Sequence, residues 1–198
     1  MITLGALLAA YLIGALPVGF LVARAWGIGD IRRHGSGNIG MTNVLRTAGR
    51  APAILTLVGD VAKGYLAVAA GAAIAGGEPT AAAAAAVAAI GGNCWSVFLA
   101  FRGGKGVATG LGAFLRLVPL AVLPAALVWL AVTLRFRYVS LGSLMAAICV
   151  PLGAALLGYG TATAGACAAG AAIIVLRHHE NIGRLVAGTE RRLGARRT

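Results

Sequence analysis

Acidic residues are almost missing from this chain. Asp30, Asp60, Glu78, Glu180 and Glu190 are its only carboxylates in 198 residues. Magnesium-dependent phosphoalcohol transfer needs several acidic ligands gathered on facing helices, and five scattered carboxylates supply no such set. Cysteine is scarce as well. Cys94, Cys149 and Cys167 show no paired spacing and lie in apolar segments, which argues against a disulfide framework or a zinc site. Two catalytic signatures are also absent. There is no G-x-S-x-G nucleophile turn. The residues five beyond His34, His178 and His179 are Ile39, Gly183 and Arg184, so the His-x4-Asp pair of thioester-dependent acyltransferases is lacking. A reaction here has to run without metal and without an activated serine, which suits a substrate that is already activated.

Charge of either sign is thin: 11% of residues are charged and 60% hydrophobic, against roughly a quarter charged in soluble domains. Such a chain cannot cover itself with water-compatible surface, so it reads as a single integral membrane domain over 1–198. The N-terminal run has no basic segment before it and is too long for a signal peptide, so it reads as a retained span. The net charge of +12 sits in clusters at 24–50, 102–105, 135–137 and 177–197. Beside membrane spans, such clusters set orientation and meet anionic lipid; nucleic acid is not an expected partner.

Apolar runs fall at about 3–25, 52–76, 80–101, 107–134, 138–158 and 161–177. The run 107–134 has 28 residues, interrupted by Arg116, Pro119 and Pro124. That is long for one crossing of roughly 20 residues and short for two. If it crosses twice, every basic loop lies on one side, as the positive-inside rule prefers. The expectation is therefore an all-α polytopic membrane protein with about seven transmembrane helices, N-terminus outside and C-terminus cytoplasmic. The thirty glycines and the alanine tract 81–86 suit close helix packing through small faces. Asp60 and Lys63, three residues apart inside the second run, either pair with each other or serve a site.

Three polar islands break the hydrocarbon. The first is GSGNIGMTN, from Gly35 to Asn43, followed by Arg46. It contains G-x-G-x-x-G but lacks the strand that a dinucleotide fingerprint requires. Its glycines still let backbone N–H groups approach an anion, and Ser36, Asn38, Thr42 and Asn43 add donors. The second island, Arg102-Gly-Gly-Lys-Gly-Val-Ala-Thr109, is no Walker A, because Leu99 stands where the first Gly would be and Gly106 follows Lys105. A glycine turn that opens a helix beside an ammonium suits a phosphate all the same. The third, Arg177-His-His-Glu-Asn-Ile-Gly-Arg184 and on to Glu190, closes the last span. Helical spacing puts Arg177, Asn181 and Arg184 on one stripe, and Glu180 with Arg184 makes an i,i+4 pair. Each island alone could be a connector, a topology signal or a lipid contact. Together they predict one cationic cup at a single membrane face for a small, multiply charged anion, with a hydrophobic partner arriving through the bilayer. A carrier for phosphate-bearing anions and a lipid-organising protein are the alternatives from other classes.

At these islands the sequence resembles the bacterial acyl-phosphate:glycerol-3-phosphate acyltransferases. GSGNIGMTNVLR matches that family's first motif, FRGGKGVAT the core of its second and RHHENIGRLVAGTE its third, while DVAKG at Asp60 and RYVSLGS at Arg137 are also similar. Where many members begin the second motif with Gly-His, this chain reads Gly92-Asn93-Cys94-Trp95, and Asn93 can donate and accept a hydrogen bond.

The resemblance implies a cofactor-free enzyme in a bacterial inner membrane with its active site toward the cytoplasm. It would take glycerol 3-phosphate and long-chain acyl phosphate, give lysophosphatidic acid and inorganic phosphate, and have membrane lipids as further partners. The expected catalytic residues are Ser36, Arg46, Lys105, His178 and Asn181. Lys105 with the Gly103, Gly104 and Gly106 backbone would meet the acyl phosphate. Arg46 with Ser36, Asn38 and Thr42 would hold glycerol 3-phosphate, aided by His178 and Asn181. Gly35, Gly37, Asn43, Lys63, Ser143, Arg177, Arg184 and Glu190 complete the expected substrate-binding set. His178 and the substrate's own phosphate are both open as the base.

Overall fold

The computed structural model describes residues 4–194, and among them every regular element is helical. The first apolar run is two helices, α1 (Leu4–Ala15) and α2 (Val18–Ala25). Pro17 divides them because a proline cannot donate to the helical ladder. After a loop come the short α3 (Met41–Ala48) and the long α4 (Arg50–Ile74), then α5 (Pro79–Cys94). Glu78 caps α5, its carboxylate accepting the Ala81 N–H at 2.9 Å, with Pro79 at the first helical position. The rest of the bundle is α6 (Val107–Leu117), α7 (Pro119–Phe136), α8 (Val139–Leu156), α9 (Thr161–Leu176) and α10 (His179–Val186).

The packing is inside-out relative to a soluble protein. Leu120, Leu123, Leu127, Leu130 and Leu134 form an exposed stripe on α7, while Ala121, Val122 and Ala125 face inward. Hydrocarbon solvent rewards no burial of leucine, so contact between small faces has to hold the helices together. α4 against α6 shows how close they come. A Cβ on Gly112 would collide with the Val61 carbonyl, and one on Gly64 with the Thr109 carbonyl.

Five stretches are long and apolar enough to cross a membrane: Leu4–Ala25, Arg50–Ile74, Pro79–Leu99, Pro119–Phe136 and Val139–Leu156. α9 is the apolar part of a sixth candidate, and α10 bends away from it by 60° after Leu176. The run 107–134 does split in two, at Val118 before Pro119, but unequally. α6 has 11 residues, about 16 Å of helix against about 30 Å of hydrocarbon, whereas α7 is about 27 Å long. By length alone α6 falls short of the seventh crossing expected from the sequence. What the hairpin does settle is where it starts and ends. Lys105, before α6, donates to Asn181, and Arg137, after α7, donates to the Leu193 carbonyl at 2.8 Å. Both ends of the hairpin meet the C-terminal island.

Candidate active site

The first island is folded around one amide. Asn43 is fully buried; its Nδ2 donates to the carbonyls of Asn38 at 2.7 Å and His34 at 3.0 Å, and its Oδ1 accepts the Ser36 N–H at 2.8 Å. Asn38 Oδ1 takes the Gly40 N–H at 2.8 Å. A loop wound this tightly needs the positive φ values of Gly35 (62°) and Gly37 (73°). The Ser36 and Thr42 hydroxyls and the Arg46 guanidinium are left without partners among the described residues, and all three line a cavity. Asn43 reaches the same cavity, but its side chain is already fully engaged in shaping the loop.

The second island is pinned from two sides. Gly103 and Gly104 donate to the carbonyls of Cys94 (3.2 Å) and Asn93 (2.9 Å). Arg177 donates to the Gly104 carbonyl at 3.2 Å and stacks over Trp95. Gly106, at φ 80°, caps α6 and aims the turn so that Lys105 reaches Asn181 Oδ1. Behind the loop, Lys63 sits in a buried cluster. Its ammonium donates to Asn93 Oδ1 (2.8 Å) and to the Leu16 carbonyl at the Pro17 break (2.7 Å), and lies 2.7 Å from Asp60 Oδ1 at an angle short of a hydrogen bond. Asp60 and Lys63 thus pair, as one of the two sequence readings had it. Removing one partner of such a buried pair costs about 3–5 kcal/mol.

The third island departs from the expected single stripe. The chain bends by 60° between α9 and α10, so Arg177 turns to the Gly104 carbonyl while Asn181 and Arg184 turn to Glu190. Asn181 Nδ2 and the Ser140 hydroxyl donate to Glu190 Oε1 at 2.6 and 2.7 Å, and Arg184 Nε donates to Oε2 at 2.7 Å. The i,i+4 contact of Glu180 with Arg184 is present at 3.7 Å. Burial pushes the Glu190 carboxyl up, but the bonds from Arg184, Ser140 and Asn181 outweigh it and hold it below its ordinary range. His178 is buried and its Nδ1 lies 2.7 Å from the Ile174 carbonyl. A carbonyl only accepts, so Nδ1 carries the hydrogen and Nε2 is the free acceptor. Burial, reinforced by Lys105, pushes the imidazole down to about 4. Lys105 itself is lowered by burial and then by Arg184, and Arg46 by burial and then by Arg191.

These residues meet in one cavity of about 540 Å³. Its polar end takes Gly35, Ser36, Asn38, Thr42, Asn43, Arg46, Gly104, Lys105, Gly106, His178, Asn181, Arg184 and Glu190 from the expected set. Its other end runs between α6, α7 and α8 over Leu111, Phe114, Val122, Trp129 and Val150. Ser143 lies along the wall, but its hydroxyl is occupied, donating to the Val139 carbonyl (2.9 Å) and accepting from Trp129 Nε1 (3.2 Å). Gly37, Lys63, Gly103 and Arg177 are outside the lining and act from behind it. Sequence reasoning passed over Ser140, which stands three residues before Ser143 in the same quoted motif, and over Arg191; Asp60 and Asn93, both singled out in the sequence, line the cavity as well. Among the described residues no three His, Cys, Asp or Glu side chains gather as a metal site.

A cationic, hydroxyl-bearing end joined to an apolar arm is the shape expected for bringing a phosphate and a hydrocarbon chain together. The sequence profile described as glycerol-3-phosphate acyltransferase matches residues 4–188. Glycerol-3-phosphate acyltransferases of Aromatoleum aromaticum and Trichlorobacter lovleyi are 48% and 47% identical, over 96% and 94% of this chain and 95% of each relative. The crystal structure of PlsY, an integral membrane glycerol 3-phosphate acyltransferase, is similar in its glycerol 3-phosphate form at a TM-score of 0.91. It is 37% identical over 96% of this chain and 95% of that one. Its lysophosphatidic acid form gives a TM-score of 0.88 at 36% identity over the same shares. Matched along nearly its whole length and in its fold, this chain belongs to the glycerol-3-phosphate acyltransferase family.

Proposed function

We propose that this acyltransferase joins glycerol 3-phosphate, through its 1-hydroxyl, to the acyl group of a long-chain acyl phosphate. The products are lysophosphatidic acid and inorganic phosphate, and no cofactor takes part. The observation that carries the reading is the single cavity in which Arg46, Lys105 and Arg184 share a polar end that opens into an apolar arm. Acyl phosphate is a mixed anhydride, so its carbonyl needs little activation. The obstacle is charge: two phosphate-bearing reactants repel, and an uncompensated buried charge costs several kcal/mol. The Lys105 ammonium offsets the donor phosphate together with the backbone N–H groups of Lys105 and Gly106. Those of Gly103 and Gly104 already donate to the Cys94 and Asn93 carbonyls. Asn181 and Glu190 orient the ammonium. Arg46, Ser36 and Thr42 hold the acceptor phosphate, Asn43 and Asn38 keeping that loop in shape. The apolar arm takes the acyl chain. Holding the hydroxyl against the carbonyl supplies on the order of 7–11 kcal/mol at best.

The proton route follows from the state of His178. A buried imidazole held at about 4 is a poor acceptor for an alcohol proton. Phosphate, with a second pKa around 6, is the better base. As the hydroxyl oxygen bonds to the carbonyl carbon, the carbon–oxygen bond to phosphate breaks and the departing phosphate takes the hydroxyl proton. His178 Nε2 accepts from the neighbouring 2-hydroxyl and so orients the glycerol, leaving the proton of the 1-hydroxyl to the phosphate.

The whole chain works as one domain, and the three islands face the cytoplasm from a bacterial inner membrane among its lipids. The N-terminus lies outside and the C-terminus inside after seven crossings, with α6 as a short one. Purified protein given palmitoyl phosphate and radiolabelled glycerol 3-phosphate without added metal is expected to make lysophosphatidic acid. No product, with palmitoyl-CoA accepted in its place, would overturn the assignment of the donor.

A further inference from the structure

Beyond α10 the chain turns at Gly188, whose φ is 68°, and runs back along the cavity, which Glu190 and Arg191 line. It is fastened at almost every residue. Glu190 takes the three bonds described above. Leu193 is tied to Arg137, its backbone N–H donating to the Arg137 carbonyl at 2.6 Å while the Arg137 guanidinium donates to its carbonyl at 2.8 and 3.2 Å. Arg192 lies over the Tyr138 ring at 5.5 Å and donates to its hydroxyl at 3.3 Å. Arg191 is the exception in this strap. Arg191 lines the cavity, and its guanidinium makes no hydrogen bond or ion pair among the described residues.

Arg46 lines the same cavity, equally without a hydrogen bond or ion pair among the described residues, as do Ser36 and Thr42 with their free hydroxyls. Arg191 is the charge that most disfavours the Arg46 cation, after burial itself. Two unpaired guanidinium groups lining one cavity repel each other. A dianion between them removes the repulsion and gains charge-assisted hydrogen bonds from both. Arg184 cannot play this part, because Glu190 already holds it.

We propose that Arg191, presented by the latched C-terminal strap, is a second guanidinium for the phosphate of glycerol 3-phosphate, together with Arg46. The inference deepens the function proposed above and rests on it. It also lies beyond residue 188, where the match to the family profile ends.

The test is steady-state kinetics of the purified full chain with palmitoyl phosphate and glycerol 3-phosphate. Arg191→Ala is expected to raise KM for glycerol 3-phosphate about ten-fold or more, the worth of a charged hydrogen bond, with kcat and the KM for palmitoyl phosphate little changed. Arg191→Lys restores part of the loss. Arg33→Ala, which removes an exposed charge away from the cavity, leaves both KM values as they are. Arg137→Ala unlatches the strap and raises the same KM, and adding it to Arg191→Ala does no further harm, since both act through one contact. Wild-type KM in Arg191→Ala, an equal rise in Arg33→Ala, or a rise shared by both substrates would each overturn the inference while leaving an active wild-type enzyme to uphold the function. An inactive wild type would instead sink the function, and this inference with it.

Discussion

His178 shows how a residue of familiar type changes character once its surroundings are known. An exposed histidine with a pKa near 6.5 is a natural general base, but this ring is buried with its Nδ1 hydrogen committed to Ile174. Its titration near 4 leaves it neutral throughout the physiological range. The acid limb of the kcat/KM profile should therefore belong to phosphate, near pH 6, and persist in His178→Gln. That variant is expected to lose less than the roughly 100-fold or more that removal of a general base costs. A limb that disappears with the imidazole would assign the proton to His178. Stability carries the same sign. Between pH 6.5 and about 4 the unfolded chain binds a proton that folded His178 refuses, so the fold weakens as pH falls through that window. Glu190, held low, adds to the loss as pH falls through its own folded-state titration. His178→Gln should show a smaller drop in Tm from pH 7 to 4.5 than the wild type.

At the level of elements, α6 and the turn before it matter most. α6 is pressed onto α4 through Gly64 and Gly112, and its start is set by the left-handed Gly106. A Cβ at Gly106 would lie 3.0 Å from Ile90 Cγ2 and 3.1 Å from Cys94 Sγ. The left-handed conformation alone costs an L-residue about 1–2 kcal/mol. Gly106→Ala is therefore expected to lower Tm by about 2–4 °C for each of those kcal/mol. It should reduce activity far more than stability, because it re-aims Lys105 at the same stroke. Gly91→Ala is the control: its Cβ meets nothing within 4 Å, and alanine suits a helix better than glycine. An active Gly106→Ala enzyme would mean that the turn does not position the lysine.

For the whole molecule the deciding property is sidedness. In a cysteine-free background of oriented membranes, His34→Cys and Arg102→Cys should react with an impermeant thiol reagent from the cytoplasmic side. Gly77→Cys and Gly160→Cys should react from the other. Pro119→Cys, exposed at the tip of the α6–α7 hairpin, is expected to label with Gly77→Cys. Labelling of His34→Cys and Arg102→Cys from opposite sides would break the single-site reading. Failure of Pro119→Cys alone would make α6 a re-entrant helix and reduce the crossings by two.

Much of this was legible in the linear chain. The apolar runs marked every long helix to within a few residues, because crossing hydrocarbon demands length and apolarity that nothing else in the sequence imitates. The scarcity of carboxylates and the three islands named the class of ligand, since residue type alone carries charge and hydrogen-bonding capacity. Other features depended on where those residues meet. Asn43 and Ser143 look like ligand contacts as residues, yet their polar atoms are consumed at home. Ser140 and Arg191 earn their place only through neighbours about fifty and 145 residues away in Glu190 and Arg46. The stripe through Arg177, Asn181 and Arg184 failed because one bend re-aimed each side chain, and no periodicity announces a 60° break. Sequence determined what the chain could dissolve in and bind. Folding decided which polar groups remain unpaired, because a hydrogen bond made inside the protein is one no substrate can use.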